Sequence, residues 1–161
     1  MYEGQFEVLD KLWDWAKEVQ LKPEELRNDL LFSKGNYMQG AWNRAAAEGH
    51  VEILEKLWDW AKELQLKPEE LRNDLLLSKN LWDETAWHVA AAESHIEILE
   101  KLREWAKELQ LKPEELKSEV LLSKGKLHEM AWQVATRGGH IETLEKLREW
   151  AKELHLKPED L

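Results

Sequence analysis

The sequence predicts an all-α protein built from helical repeats, and two observations support that prediction. First, the segment GHVEILEKLWDWAKELQLKPEEL from Gly49 recurs with few changes from Gly4, Ser94 and Gly139, so consecutive copies begin 45 residues apart. A fixed period of this length is the signature of repeat proteins, whose units pack only on their neighbours. Second, apolar residues follow helical spacing in every copy.

The period predicts a single repeat array over residues 1–161. Its units are 4–48, 49–93 and 94–138, followed by a partial unit 139–161. The fold class expected from this division is a helical solenoid, in which equivalent helices of successive units stack in order.

A long amphipathic helix opens each predicted unit. In the second unit, apolar residues recur at helical spacing between Ile53 and Leu64, while charged residues occupy the opposite face. Glu52 and Lys56 stand in the i,i+4 order that stabilises an exposed helix face. This pattern predicts an outer helix with one buried face.

Two shorter helices complete the unit. Pro68 followed by two glutamates is typical of a helix start, because proline lacks the N–H that would have no partner there and acids suit the helix dipole. A Pro-led helix is therefore predicted over about residues 68–76. Residues 80–84 are expected to form a turn or loop, after which Thr85 can cap an alanine-rich inner helix over residues 86–92.

The inner helix and the start of the following outer helix resemble the ankyrin repeat. The segment TAWHVAAAESHIEILEKL follows the ankyrin pattern T-P-L-H-x-A-A-x-x-G-H-x-x-I/V-x-x-L-L. The residues that fill its places are Thr85, Ala86, Trp87, His88, Ala90, Ala91, Ser94, His95, Ile98, Leu99 and Leu102. The resemblance implies an ankyrin-like stack that recognises proteins.

Two departures from the ankyrin pattern qualify the resemblance. The ankyrin period is about 33 residues, so roughly a dozen residues, KELQLKPEELRN, are inserted here and supply an additional Pro-led helix. The glycine of the ankyrin hairpin is replaced by Met38, Asp83 and His128. A HEAT-like helical solenoid is the structural alternative, although it leaves the Thr-x-x-His and Gly-His signatures unexplained.

Composition argues against several classes of partner. The net charge of −10 disfavours nucleic acid, which is bound through clustered lysine and arginine, and it disfavours anionic membranes. No apolar run approaches the roughly 20 residues of a spanning helix. The first residues do not resemble a signal peptide, so a cytoplasmic location is the default expectation. The chain has no cysteine, which excludes disulfides.

No catalysis, metal or cofactor is expected. His50, His95 and His140 occur once per unit at one register, so they should lie roughly 8–10 Å apart along the stack. Zinc requires all its ligands near 2 Å from one point, so these histidines cannot share an ion. A local hydrogen bond at the start of each outer helix is the expected role. The sequence contains neither a phosphate-binding loop nor a nucleophile elbow.

The copies agree along the outer helix and differ in the loop and the inner helix. Neutral drift of exposed loops would also have changed the exposed face of the outer helix. Variation confined to the loop and the inner helix therefore favours a recognition surface on a constant scaffold. The predicted protein-binding residues are Asn36, Tyr37, Met38, Gln39, Asn43, Arg44, Leu81, Trp82, Asp83, Glu84, His88, Lys126, Leu127, His128, Glu129, Gln133 and Arg137.

Trp82 is the most informative of these residues. The other nine tryptophans occupy repeat-equivalent positions and are predicted to pack in the core, whereas Tyr37 and Leu127 stand at the register of Trp82. An exposed loop tryptophan is typical of a partner anchor. The function expected from the sequence is therefore protein binding through the loop tips and inner helices.

One other function remains open, namely a structural or self-assembling array without a specific ligand. Solenoids normally end in polar capping repeats, whereas the first copy keeps Trp13 and Trp15, so a monomer or weak end-to-end self-association is expected. An array that reads RNA one base per unit is disfavoured, because it needs basic and stacking side chains at one repeated register, whereas that register holds Tyr37, Trp82 and Leu127 and the chain is net acidic.

Overall fold

The computed structural model of the protein describes residues 37–80, 82–121, 124 and 129–156, together with six isolated positions between 7 and 22. Within them, every regular element is helical, and one isolated antiparallel bridge joins Lys124 to Met130. The helices are α1 (Tyr37–Glu48), α2 (Val51–Glu63), α3 (Pro68–Glu70), α4 (Ala86–Ala92), α5 (Ile96–Glu108), α6 (Pro113–Leu116), α7 (Ala131–Arg137) and α8 (Ile141–Glu153). The predicted all-α class is confirmed for this part of the chain.

Three helical hairpins form the centre of the molecule: hairpin A (α1 and α2), hairpin B (α4 and α5) and hairpin C (α7 and α8). The turn between the two helices contains a residue in the left-handed region, namely Gly49 (φ 79°), Ser94 (φ 57°) or Gly139 (φ 72°). In hairpin A the His50 N–H then donates to the Ala45 carbonyl at 3.0 Å. This bond satisfies a terminal carbonyl of α1 as a Schellman turn does.

The hairpins pack in the order A, B, C. The inner helix α4 lies between α1 and α7, and the outer helix α5 contacts both α2 and α8. Alanines line the inner-helix contacts and are buried, and their small side chains let these backbones approach closely. They are Ala41, Ala45, Ala46, Ala86, Ala90, Ala91, Ala131 and Ala135.

The Pro-led helices α3 and α6 each continue into a π-helical turn, over Leu71–Leu76 and Lys117–Leu121. The predicted helix over residues 68–76 is therefore present, but its second half is wound more widely than an α-helix. The Leu77 N–H donates to the Arg72 carbonyl at 2.8 Å, five residues back. This winding accompanies the burial of Leu71, Leu75 and Leu76.

Six of the nine tryptophans predicted to pack in the core are buried. The buried ones are Trp42, Trp58, Trp60, Trp87, Trp105 and Trp150. Trp132 packs against the core and is partly buried, while Trp13 and Trp15 lie outside the described residues. Trp82 is the exception that the sequence predicted, because 59% of its surface is exposed.

Residues 37–39 stand at the register of the predicted loop residues 82–84, but they do not form a loop. Residues 37–40 form the first turn of α1, which has 12 residues, whereas α4 and α7 have seven each. In those shorter helices an extended residue, Thr85 (ψ 172°) or Met130 (ψ 162°), stops the helix on its N-terminal side. Gly40 occupies that place in α1, where it is helical rather than extended, and the helix runs on to Tyr37.

Candidate functional site

The loop that carries Trp82 is closed by the side chain of Asn80. The Asn80 Oδ1 accepts hydrogen bonds from the backbone N–H groups of Trp82 (2.9 Å) and Glu84 (3.0 Å). The Asn80 N–H donates to the Glu84 carbonyl at 2.9 Å, and the Asp83 N–H donates to the Asn80 carbonyl at 3.1 Å. Asparagine is suited to this role, because its amide can replace the bonds of a backbone turn.

Trp82 is presented at the tip of this loop beside two acids. Asp83 is exposed and lies in the left-handed region (φ 63°), and its carboxylate is 3.9 Å from the Lys79 ammonium. Glu84 is partly buried, and its Oε1 accepts a bond of 3.3 Å from the Asn80 amide. The loop therefore combines a large exposed aromatic surface with negative charge on a backbone that its own hydrogen bonds hold in place.

His88 lies beneath the loop and is 1% exposed, so its predicted contact with a partner is corrected. Its Nδ1 accepts the Thr85 backbone N–H at 3.2 Å and lies 2.9 Å from the Thr85 hydroxyl. This arrangement closes the first turn of α4 in the way that a Ser/Thr-x-x-Glu/Gln box does. The Thr-x-x-His spacing was the available signal for this structural role.

Gln133 plays the equivalent part in α7. Its Oε1 accepts the Met130 backbone N–H at 2.8 Å, and its side chain is partly buried. Gln133 therefore fixes the start of an inner helix, and it was predicted as a contact residue because the copies differ there. The variation between His88 and Gln133 exchanges one acceptor for another at the same point of the helix.

The other predicted binding residues fall into three groups. Arg44 and Arg137 are exposed and pair with Glu48 (2.8 Å) and Glu129 (3.0 Å), whereas Asn43 is partly buried. Three residues lie in the first turn of α1, which is described here only by its backbone: Tyr37, Met38 and Gln39. Five lie outside the described residues: Asn36, Leu81, Lys126, Leu127 and His128.

The histidines at the outer-helix starts connect one hairpin to the next. The His95 Nε2 lies 3.0 Å from the Ala47 carbonyl of α1, and the His140 Nε2 lies 2.8 Å from the Ala92 carbonyl of α4. Each ring therefore reaches the preceding inner helix, which corrects the expected local role. Gly49 makes room for one of these rings, because a Cβ there would be 2.8 Å from His95.

Neither a metal centre nor a membrane helix is found in the part of the chain that the structure describes. Among these residues, no three His, Asp or Glu side chains are grouped so that they could hold a metal ion. None of the described helices has the length and apolar character needed to span a bilayer.

Comparisons with known proteins found no match, whether with protein-family models, curated proteins or solved structures. The resemblance to ankyrin repeats therefore depends on the sequence pattern alone.

Proposed function

We propose that this chain is a protein-binding repeat module, an ankyrin-like stack with an extra Pro-led helix per repeat, that holds its partner through the Trp82 loop. The observation that supports this most directly is the exposure of Trp82, 59%, on a loop closed by Asn80. A tryptophan held in place loses little conformational freedom on binding, and tryptophan is enriched among the residues that dominate interface energies.

The charges around the loop define the partner's chemistry. Asp83 and Glu84 adjoin Trp82 in the loop and give it negative charge. A partner with an apolar pocket rimmed by lysine or arginine would complement this surface. Arg44 and Arg137, on the neighbouring inner helices, are the exposed basic residues of the proposed surface.

The test begins with selection of displayed peptides and small domains against the immobilised protein. The affinity of each selected binder is then measured by calorimetry for the wild type, for Trp82→Ala and for Asp59→Ala. Asp59 is exposed on the outer helix α2 and serves as the matched control. We expect Trp82→Ala to weaken Kd about 30-fold, equivalent to about 2 kcal/mol, and Asp59→Ala to change it by less than about twofold.

A second variant tests whether the shape of the loop matters. Asn80→Ala removes the acceptor for the Trp82 and Glu84 N–H groups and leaves the indole in the sequence. We expect it to weaken the same binders, while Asn80→Asp, which keeps an acceptor oxygen, recovers part of the affinity.

The competing function is a purely structural array whose loops bind nothing. It predicts that no selected binder depends on Trp82. Binders that lose affinity with Asp59→Ala but not with Trp82→Ala would place recognition on the outer helices and refute the proposal.

A further inference from the structure

An open apolar groove of about 510 Å³ lies on hairpin C, on the side away from hairpin B. Its wall includes Leu121, Trp132, Ile141, Leu144 and Leu147. Ile141 is 69% exposed, and it and Trp82 are the large hydrophobic residues with the greatest exposure among those described. The groove shares no residue with the Trp82 loop.

The equivalent surface of hairpin B is covered by hairpin C. Trp87 holds the place of Trp132 and is 1% exposed, with its ring centroid 6.4 Å from that of Trp150 in an edge-on arrangement. The Arg103 guanidinium, which holds the place of Arg148, lies 5.0 Å from the centroid of the same Trp150 ring. An outer-helix tryptophan is therefore what fills this surface on hairpin B.

Hairpin A repeats the arrangement. Trp42 and Trp58 take the places of Trp87 and Arg103, and both contact Trp105 of the next outer helix, at centroid distances of 5.3 Å and 4.8 Å. The same kind of surface thus receives the same residue twice within the chain. The groove on hairpin C presents Trp132 and Arg148 at the corresponding positions.

Ion pairs follow the same register. Lys101 pairs with Glu55 at 3.6 Å, and Lys146 pairs with Glu100 at 3.1 Å, so each outer-helix lysine contacts a glutamate of the preceding outer helix. The next position in this series is Glu145, which is exposed and lines the groove. By the same register, its carboxylate would pair with a lysine of the segment bound in the groove.

We propose that the groove binds residues 4–18 of a second copy of this chain, in a head-to-tail contact. By the 45-residue period, Trp15 of that copy takes the place of Trp105 and Trp150, and Lys11 that of Lys101 and Lys146. Lys11 is described, helical and exposed. In this contact Trp15 covers Trp132 and Arg148, and Lys11 pairs with Glu145.

Such a contact joins two different surfaces, so it continues from copy to copy unless the rotation closes a ring. It therefore predicts assemblies that grow beyond a dimer with concentration. It is independent of the proposed recognition of a partner by the Trp82 loop, because the residues of the two surfaces do not overlap.

Sedimentation velocity over a concentration series tests the contact with matched charge variants. Glu145→Lys and Lys11→Glu each place like charges together and should weaken association by about tenfold or more. The double variant carries both changes in every copy and should restore it. Ile141→Glu, at a position already exposed, should abolish association, whereas Trp82→Ala and Asp59→Lys should leave it unchanged.

Three results would overturn the inference. The wild type could stay monomeric at every concentration, association could persist in Ile141→Glu, or the double charge reversal could fail to restore what each single change removed. Helicity measured by circular dichroism identifies a variant that has unfolded, and restoration by the second charge change cannot come from an unfolded chain. A monomeric wild type that still binds partners through Trp82 would refute this contact alone.

Discussion

Replacing Trp87 with alanine should be among the most destabilising single changes in the described core. Trp87 is 1% exposed, and its ring centroid lies 6.4 Å from that of Trp150 in the next hairpin. A buried tryptophan removes about 150–250 Å² from water, equivalent to roughly 4–6 kcal/mol at about 25 cal/mol per Å². Its indole N–H has no acceptor among the described residues, so the change also relieves an unfavourable burial of about 1–3 kcal/mol. The expected loss is about 3 kcal/mol, within the range for such truncations.

Trp82→Ala is the matched comparison, because it deletes the same side chain from a position that is 59% exposed. It should cost less than about 1 kcal/mol, as surface changes do. Urea unfolding of both variants, followed by circular dichroism at 222 nm, gives the two differences. Midpoint and slope should both be fitted, because a change in slope would show that the chain unfolds in parts.

The test is which of the two variants loses more free energy of unfolding. If Trp82→Ala costs more than Trp87→Ala, then Trp82 is a core residue and the proposed anchor is lost. Trp87→Phe separates the two contributions to the estimate, because it keeps most of the apolar surface and removes the buried N–H. It should be less destabilising than Trp87→Ala, and a loss as large as that of alanine would contradict the area argument.

Two further predictions concern the backbone and the pH. Gly40→Ala should stabilise α1 by about 0.5–1 kcal/mol, because the added Cβ meets nothing within 4 Å. Gly49→Ala should cost more than about 1 kcal/mol, because Gly49 has φ 79° and its Cβ would lie 2.8 Å from His95. Urea midpoints that shift in the same direction for both variants would contradict this. Burial and, to a smaller extent, the charge of Glu70 raise the pKa of Asp74 in the folded state. Asp74 therefore contributes to the stability of the fold below its unfolded pKa of about 3.9, and this contribution is lost as the pH rises through the folded pKa. Asp74→Asn should therefore gain stability relative to the wild type between acid and neutral pH, and a difference independent of pH would refute that.

The local signals in the sequence predicted most of the described helices. The 45-residue period and the amphipathic pattern predicted the outer helices α2, α5 and α8, which begin at the equivalent positions Val51, Ile96 and Ile141. Thr85 and the alanines predicted α4 over residues 86–92, and Pro68 predicted the start of α3. The amphipathic pattern, the cap and the proline depend on residues close together in the chain, and the period comes from comparing copies, so a single sequence contains all of this information.

Features that depend on contacts between hairpins could not be predicted in the same way. The π-helical turn at Leu71–Leu76 accompanies leucines that are buried against other elements, and nothing in its local sequence specifies the wider winding. The partners of His95 and His140 lie 48 residues earlier, on the preceding inner helix. The extension of α1 to Tyr37 passes through Gly40, and glycine is a poor helix former, so the local sequence did not predict it.

For the candidate site, comparing the copies identified positions that differ but not the reason they differ. Trp82 is exposed as predicted, and Asp83 lies beside it on the loop. His88 and Gln133 differ because each closes a helix start by its own chemistry. The Asn80 side chain, which fixes the loop, was missed, although its place before a helix cap matches the known preference of asparagine for turns.

The contacts between hairpins also explain why the copies agree along the outer helix and differ in the loop. Trp58 and Arg103 hold equivalent places, and each lies over the outer-helix tryptophan of the next hairpin, at 4.8 Å and 5.0 Å. A guanidinium is planar and stacks on an aromatic face, so it can replace the indole without changing the contact. Arg103 also forms an ion pair with Glu153, which adds a charged contact at the edge. Stacking therefore constrains the outer helix to residues that serve the next hairpin. The Trp82 loop lies between the Pro-led turn and α4, and its residues take no part in these ring and ion-pair contacts between hairpins.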